Sequence, residues 1–246
     1  MKALNRHLQL LVVPSKSNIC LGFQTLSVSF LSSSAQQSTN QILTQEELTK
    51  INLLIPRLCL TNQLPTAIHL TNTALLTNPP LKSISLSILV DSLASQPDMA
   101  RPMSLLTRLR HSPVSHHYLM PINTMLIASY FKKGKPKEAL KLFNWIVRPG
   151  SPCVLDGKVC GILVNGFCRN RMVLEALKVV RAMVAANVFP GGDLKERIYR
   201  GLLWEARIRE AMELYESLGC LGDGEGGEGA RKVLALLDHM IANWKE

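Results

Sequence analysis

The sequence has no apolar run approaching the roughly 18 residues that a membrane-spanning helix requires. The longest candidate stretch near the start, Leu8 to Val13, is six residues. A transmembrane span is therefore not expected. Cysteine is sparse and scattered: Cys20, Cys59, Cys153, Cys160, Cys168 and Cys220 contain no Cys-x-x-Cys pair. This excludes a disulfide-dense secreted scaffold, and the eight-residue interval from Cys160 to Cys168 does not suit a zinc knuckle. Free thiols are the expectation, with no metal and no cofactor. Aromatic residues make up 5% of the chain. Trp145, Trp204 and Trp244 fall within helical segments, where packing is favoured over a row of base-stacking rings.

Catalytic constellations are missing as well. No paired carboxylates stand out, Ser151 and Asp156 have no positioned histidine, and His116-His117 falls in a polar junction without a nearby cysteine or acid. The glycine-rich stretch ending at Gly229 carries Glu225 and Glu228 and is followed by no Lys-Ser/Thr, so it does not cradle phosphate. An enzyme is not expected.

Acid is the scarcer charge, with 18 Asp and Glu against 28 Lys and Arg. The excess is local. Residues 120–220 hold 16 basic against 9 acidic residues, whereas the last 26 hold three against five. A positive middle favours an acidic partner such as RNA or an acidic protein face. The first 45 residues carry Lys2, Arg6 and Lys16 and no acid, with a serine-rich tract through Ser32–Ser34. That composition fits an organelle presequence over residues 1–37, with a mitochondrion expected and a chloroplast as the alternative.

What is present is a period. Glu138-Ala139, Glu175-Ala176 and Glu210-Ala211 are spaced by 37 and 35 residues. Each Ala permits close backbone approach. Leu140 and Phe143, Leu177 and Val180, and Met212 and Tyr215 sit three apart on one side of a helix. A leading helix precedes each, at Thr124–Phe131, Gly161–Cys168 and Arg197–Trp204, followed by a polar turn. The unit is a pair of antiparallel helices.

Extending the phase gives approximate units 48–82, 83–119, 120–156, 157–191 and 192–226. About five degenerate repeats are therefore expected over 48–218, clearest at 120–156, 157–191 and 192–218. Pro102 in the second unit calls for a bend or a helix start. Residues 219–229 read as a glycine-rich acidic linker. Residues 230–244, with Val233, Leu236, Leu237, Met240 and Ile241, read as an amphipathic capping helix.

These units resemble the pentatricopeptide repeat family, in particular a short member with plain repeats. The resemblance rests on Gly166-Phe-Cys-Arg-Asn-Arg-Met-Val-Leu-Glu-Ala-Leu177 with Met183 and Phe189-Pro190, and on Thr124-Met-Leu-Ile-Ala-Ser-Tyr-Phe-Lys-Lys-Gly134 with Glu138-Ala-Leu-Lys-Leu-Phe143. A weaker third match runs from Glu196 to Leu218. The turns at Gly134 and Asn170-Arg171 and the Phe189-Pro190 ending separate it from the related tetratricopeptide repeat of about 34 residues.

The resemblance implies an all-α, right-handed superhelical solenoid that binds single-stranded organelle RNA in transcript processing, stability or translation, without catalysis. The alternative is a structural subunit of an organelle ribosome or other ribonucleoprotein. It also implies one base per suitable repeat, read by the fifth and last residues of the unit. The fifth places are Asn52, Ser87, Thr124, Gly161 and Glu196, and the last are Lys82, Leu119, Asp156, Gly191 and Gly226. Thr124 with Asp156 is the best pair and resembles a guanine reader, while Asn52 and Ser87 are weaker groove positions. Glu196 would set negative charge in the path of RNA, and the second places are Pro121, Lys158 and Asp193. From charge alone, Lys132, Lys133, Lys135, Lys137, Lys158, Arg169 and Arg171 are candidates to contact the RNA backbone or an acidic partner.

Overall fold

The computed structural model describes residues 43–76, 86–222 and 227–244. The presequence expected at 1–37, Lys82, and residues 223–226 of the expected linker lie outside them. The described residues are all helical or irregular, with no strand. Five successive pairs are α1 (Gln45–Leu60) with α2 (Leu64–Leu76), α3 (Ser87–Ser95) with α4 (Ala100–Arg110), α5 (His116–Lys132) with α6 (Pro136–Val147), α7 (Gly157–Arg169) with α8 (Val173–Ala185), and α9 (Gly192–Trp204) with α10 (Ile208–Gly219). A last helix, α11 (Glu228–Ala242), follows.

Local chemistry fixes where the helices begin and turn. At the start of α1, the Glu47 amide donates to Thr44 Oγ1 and the Thr44 amide donates to Glu47 Oε2, a reciprocal cap. Four first helices end in the same way. The amides of Gln63, Lys135, Met172 and Arg207 donate to the carbonyls of Leu58, Tyr130, Phe167 and Leu202, five residues back, at 2.8–3.0 Å. The residue before each donor, Asn62, Gly134, Arg171 or Ala206, is left-handed, with φ between 56° and 68°. This is the Schellman turn, which satisfies otherwise orphaned carbonyls. It recurs at the phase set by the Glu-Ala pairs.

The pairs stack by a simple rule. First helices follow one another, α1 against α3, α3 against α5, α5 against α7 and α7 against α9. Second helices also meet, α2 against α4 and, more slightly, α6 against α8. One continuous apolar core results. The three alanines of the Glu-Ala pairs, Ala139, Ala176 and Ala211, are fully buried, as close helix approach requires. Pro102 lies in the first turn of α4, where its missing amide hydrogen has no intrahelical partner to lose.

Three local expectations differ. His116 and His117 open α5 rather than forming a loop, and His116 Nε2 donates to the Arg110 carbonyl at 2.8 Å. Met212 and Tyr215, expected to pack like Phe143 and Val180, are 51% and 44% exposed. The reason is the position of α11, which docks against α8 as well as α10 and leaves that stripe of α10 uncovered. Its buried residues Ala230, Val233, Leu237 and Met240 form the inward stripe, and Arg181 of α8 pairs with Asp238. Trp204, for which packing was expected, is 61% exposed, with the Arg171 guanidinium 5.3 Å above its ring.

Candidate nucleic-acid interface

A groove of about 950 Å³ runs across three first helices, α5, α7 and α9. The floor is set by α7, whose Lys158, Gly161, Ile162, Asn165 and Arg169 share one face by helical spacing. Ala128 and Lys132 of α5 form one wall, and Glu196, Arg197 and Arg200 of α9 form the other. Its lining carries five cations, Lys132, Lys158, Arg169, Arg197 and Arg200, against the two carboxylates of Asp193 and Glu196.

The wall charges are partly organised already. Arg200 Nε donates to Glu196 Oε1 at 2.7 Å, so the carboxylate that the sequence sets against RNA is matched by a cation one turn along. Arg197 Nε donates to Asn165 Oδ1 at 3.0 Å and ties α9 to α7. Glycine shapes the rest. A methyl group on Gly161 would meet nothing within 4 Å, so this place is open space. One on Gly166 would stand 2.4 Å from the Phe131 ring, so that glycine lets α5 and α7 come together.

The seven basic candidates divide. Lys132, Lys158 and Arg169 line the groove and are exposed. Lys133 and Lys135 reach the preceding pair instead. Lys133 Nζ sits 2.8 Å from Asp91 Oδ1, and that hydrogen-bonded ammonium is the main cause holding the Asp91 carboxyl below its ordinary range. Lys135 Nζ donates to the carbonyls of Ala94 and Gln96 at 2.9 and 2.7 Å, capping the end of α3. Arg171 stacks on Trp204, and Lys137 is exposed in the first turn of α6.

The residues expected to read a base lie beside the groove rather than in its lining. Thr124 is half-buried one turn before Ala128, and its hydroxyl donates to the Met120 carbonyl at 2.8 Å. Asp156 caps α7, with Oδ1 accepting the Val159 amide at 2.7 Å, next to Gly157 of the groove. Asn52 is half-buried within α1, and Ser87 is exposed at the start of α3. Asn165, Arg197 and Arg200 were missed by sequence reasoning. Ala128, Asn165 and Arg200 each fall four residues after a fifth place, so the helical period carried a usable signal.

The capping bond gives Asp156 a measurable structural duty. Asp156→Ala should lower stability by about 1 kcal/mol, while Asp156→Asn, which keeps an acceptor, should lose only a fraction of that. Urea unfolding of both variants checks this. Equal losses would show that the cap contributes nothing particular.

The described thiols have no catalytic setting. Burial pushes Cys160 up to about 12 and Cys168 up to about 11, so both stay protonated near neutrality. Among the described cysteines, exposed Cys220 should be alkylated first, with Cys160 and Cys168 modified only on unfolding. Peptide mapping after a timed iodoacetamide pulse reads the order. The Tyr130 hydroxyl is likewise buried and pushed up to about 12. No group of His, Cys, Asp or Glu among the described residues could hold a metal ion, and none of their helices is long and apolar enough to cross a membrane. The groove is a positively charged surface, with more cations than carboxylates in its lining.

No curated protein matches the chain. Residues 124–144 and 159–188 do match the PPR repeat family model. These stretches contain the groove half of α5 with most of α6, and most of α7 with α8. One wall and most of the floor of the groove therefore lie on helices similar to PPR repeats, whereas the α9 wall lies outside the matched residues.

Proposed function

We propose that this chain binds single-stranded RNA along the α5–α7–α9 groove and holds it without catalysing a reaction. The observation that carries this reading is the groove charge, five cations against two carboxylates, in a groove whose α5 wall and α7 floor lie largely within stretches similar to PPR repeats. Cations spaced along a groove track a phosphate backbone, and the open space at Gly161 admits a base without an edge-reading side chain. Thr124 and Asp156 sharpen the proposal. With its hydrogen donated to Met120, the Thr124 hydroxyl has only acceptor capacity left, and a carboxylate is also an acceptor. Two acceptors suit guanine, whose Watson–Crick edge presents donors. Binding to four oligonucleotides differing at one base tests this assignment. Thr124→Ala should reduce a guanine preference, and an unchanged preference in a folded variant would remove Thr124 from the reading site.

The site of action proposed is an organelle, a mitochondrion or alternatively a chloroplast, on the basic, serine-rich and acid-free composition of residues 1–37. A fluorescent protein carrying those residues reports the destination, and cytosolic fluorescence would overturn the address. The second reading, a structural subunit of an organelle ribosome or other ribonucleoprotein, is favoured by one observation. Gly161 and Gly191, at the fifth and last places of their unit, present no side chain to a base. Copurification of stoichiometric ribosomal proteins from isolated organelles would select it.

A further inference from the structure

A second groove, on the opposite helix layer from the polyanion site, extends the chemistry of this chain beyond RNA. It measures about 640 Å³ and lies between the carboxy-terminal halves of α6 and α8, with the 148–155 segment along one side. Its surface is mainly apolar, through Phe143, Ile146 and Val147 of α6, Ala182 and Ala185 of α8, and Val154. Val147 and Val154 are 39% and 76% exposed, which is unfavourable for apolar side chains left in water.

The neighbouring interval shows what fills such a space. α8 and α10 each pack on α11 more extensively than on one another. Thus α11, an amphipathic helix, occupies the interval after α8 just as the open groove occupies the one before it. It does so with a buried stripe of Ala230, Val233, Leu237 and Met240, and with Asp238, which pairs with Arg181. Arg181 Nη2 donates to Asp238 Oδ2 at 3.2 Å.

The charge around the open groove is of the same sign as that which received Asp238. Its cations are Arg148, Lys178 and Arg181, and no carboxylate lines it. Lys178 has a loose partner in Glu175 at 3.7 Å, and Arg181 has Asp238. Arg148 stacks 4.9 Å over Trp145, and its Nε is buried without a hydrogen-bond partner. A buried guanidinium nitrogen of this kind is costly until an acceptor reaches it.

We infer that the α6–α8 groove docks an acidic amphipathic helix of a partner protein, seated as α11 is seated on the other flank of α8, with a carboxylate directed to Arg148. Small Ala182 and Ala185 let the incoming backbone approach, and Val147 and Val154 supply apolar contact. RNA is the less suitable occupant, since the lining is mainly apolar and an apolar surface gives a phosphate backbone nothing to bind.

The test uses the full chain and a labelled 15-residue helical peptide. Its apolar residues repeat the spacing of Ala230, Val233, Leu237 and Met240, and its flanking charges are all glutamate or, in the control, all lysine. The glutamate peptide should bind about tenfold or more tightly than the lysine peptide, with the difference shrinking at high salt. Val154→Asp, at a highly exposed position, and Arg148→Gln should each weaken the glutamate peptide about tenfold while leaving RNA binding unchanged. Preserved RNA binding shows that the variants are folded. Equal binding of the two peptides, or binding indifferent to both substitutions, overturns the inference. Loss of RNA binding in Arg148→Gln with no peptide binding reassigns the groove to nucleic acid. A concentration-dependent dimer abolished by Val154→Asp reassigns it to a second copy of this chain. If RNA binding by the wild-type protein fails while the peptide results hold, the docking surface stands without the proposed function.

Discussion

Replacing Lys132, Lys158 and Arg169 together with glutamate should weaken binding of unrelated single-stranded RNAs by about 100-fold or more at roughly 0.1 M salt. All three line the α5–α7–α9 groove and are exposed. Each phosphate contact on a single strand contributes about 0.7 to the slope of log affinity against log salt, so losing three should flatten that slope by about 2. The effect should be the same for every base composition, because phosphate attraction carries no sequence information. The matched control is Lys133→Gln with Lys135→Gln. Those two ammonium groups hold Asp91 and the carbonyls ending α3, so their loss should lower stability while the salt slope of the folded protein barely changes. Filter binding at four salt concentrations separates the cases. An unchanged slope in the groove triple variant, or the larger slope change in the control, would show that RNA follows another surface.

Phe167→Ala should cost about 3–5 kcal/mol, the range for deleting a buried aromatic side chain. Phe167 is fully buried in α7, and its ring meets that of Phe131 edge-to-face, with centroids 5.2 Å apart and planes at 83°. Its carbonyl also accepts the Met172 amide in the α7–α8 turn, a bond the substitution leaves in place. The loss therefore isolates packing between stacked pairs. Because α7 touches α5 and α9 as well as α8, weakening it should lower the unfolding midpoint of the described pairs together. Phe167→Leu, which retains most of the volume, should lose less than half as much. Denaturant unfolding followed by circular dichroism measures both. A loss below about 1 kcal/mol for Phe167→Ala would mean that the pairs do not depend on this contact.

The groove face was half legible in the sequence. Lys158 and Arg169 lie on the floor and Lys132 on a wall, and a charge count finds all of them. The same count gives equal standing to Lys133 and Lys135, which end on α3. Four lysines within six residues cannot be sorted by spacing alone, because the run crosses the end of α5 and enters a left-handed turn at Gly134. Beyond that turn, direction depends on what is packed alongside. Arg197 and Arg200 are the converse case. They stand in an ordinary amphipathic helix and acquire meaning from Asn165 on α7 and from the groove wall they complete.

The residues proposed to read a base were legible by register alone. Family resemblance selects Thr124 and Asp156 by register, but register does not say what their hydrogen-bonding groups already do. Thr124 donates back to the preceding helical turn and Asp156 caps the next helix, so each brings acceptor capacity only.

The sequence by itself determined the helical pairs, because their causes are local or periodic. Glu-Ala pairs recurring at 37 and 35 residues, apolar residues three apart, and residues able to end a helix in a Schellman turn all act within one unit. Tertiary structure alone decided what those units present. It turned Lys133 and Lys135 to α3, paired Glu196 with Arg200 in the groove, and left Met212 and Tyr215 open to water. It also set α11 against α8 and α10, leaving the interval between α6 and α8 open as a groove. The physical reason is that a helix sequence fixes which of its faces is apolar, whereas the neighbour that covers that face is chosen by competition among all the elements within reach.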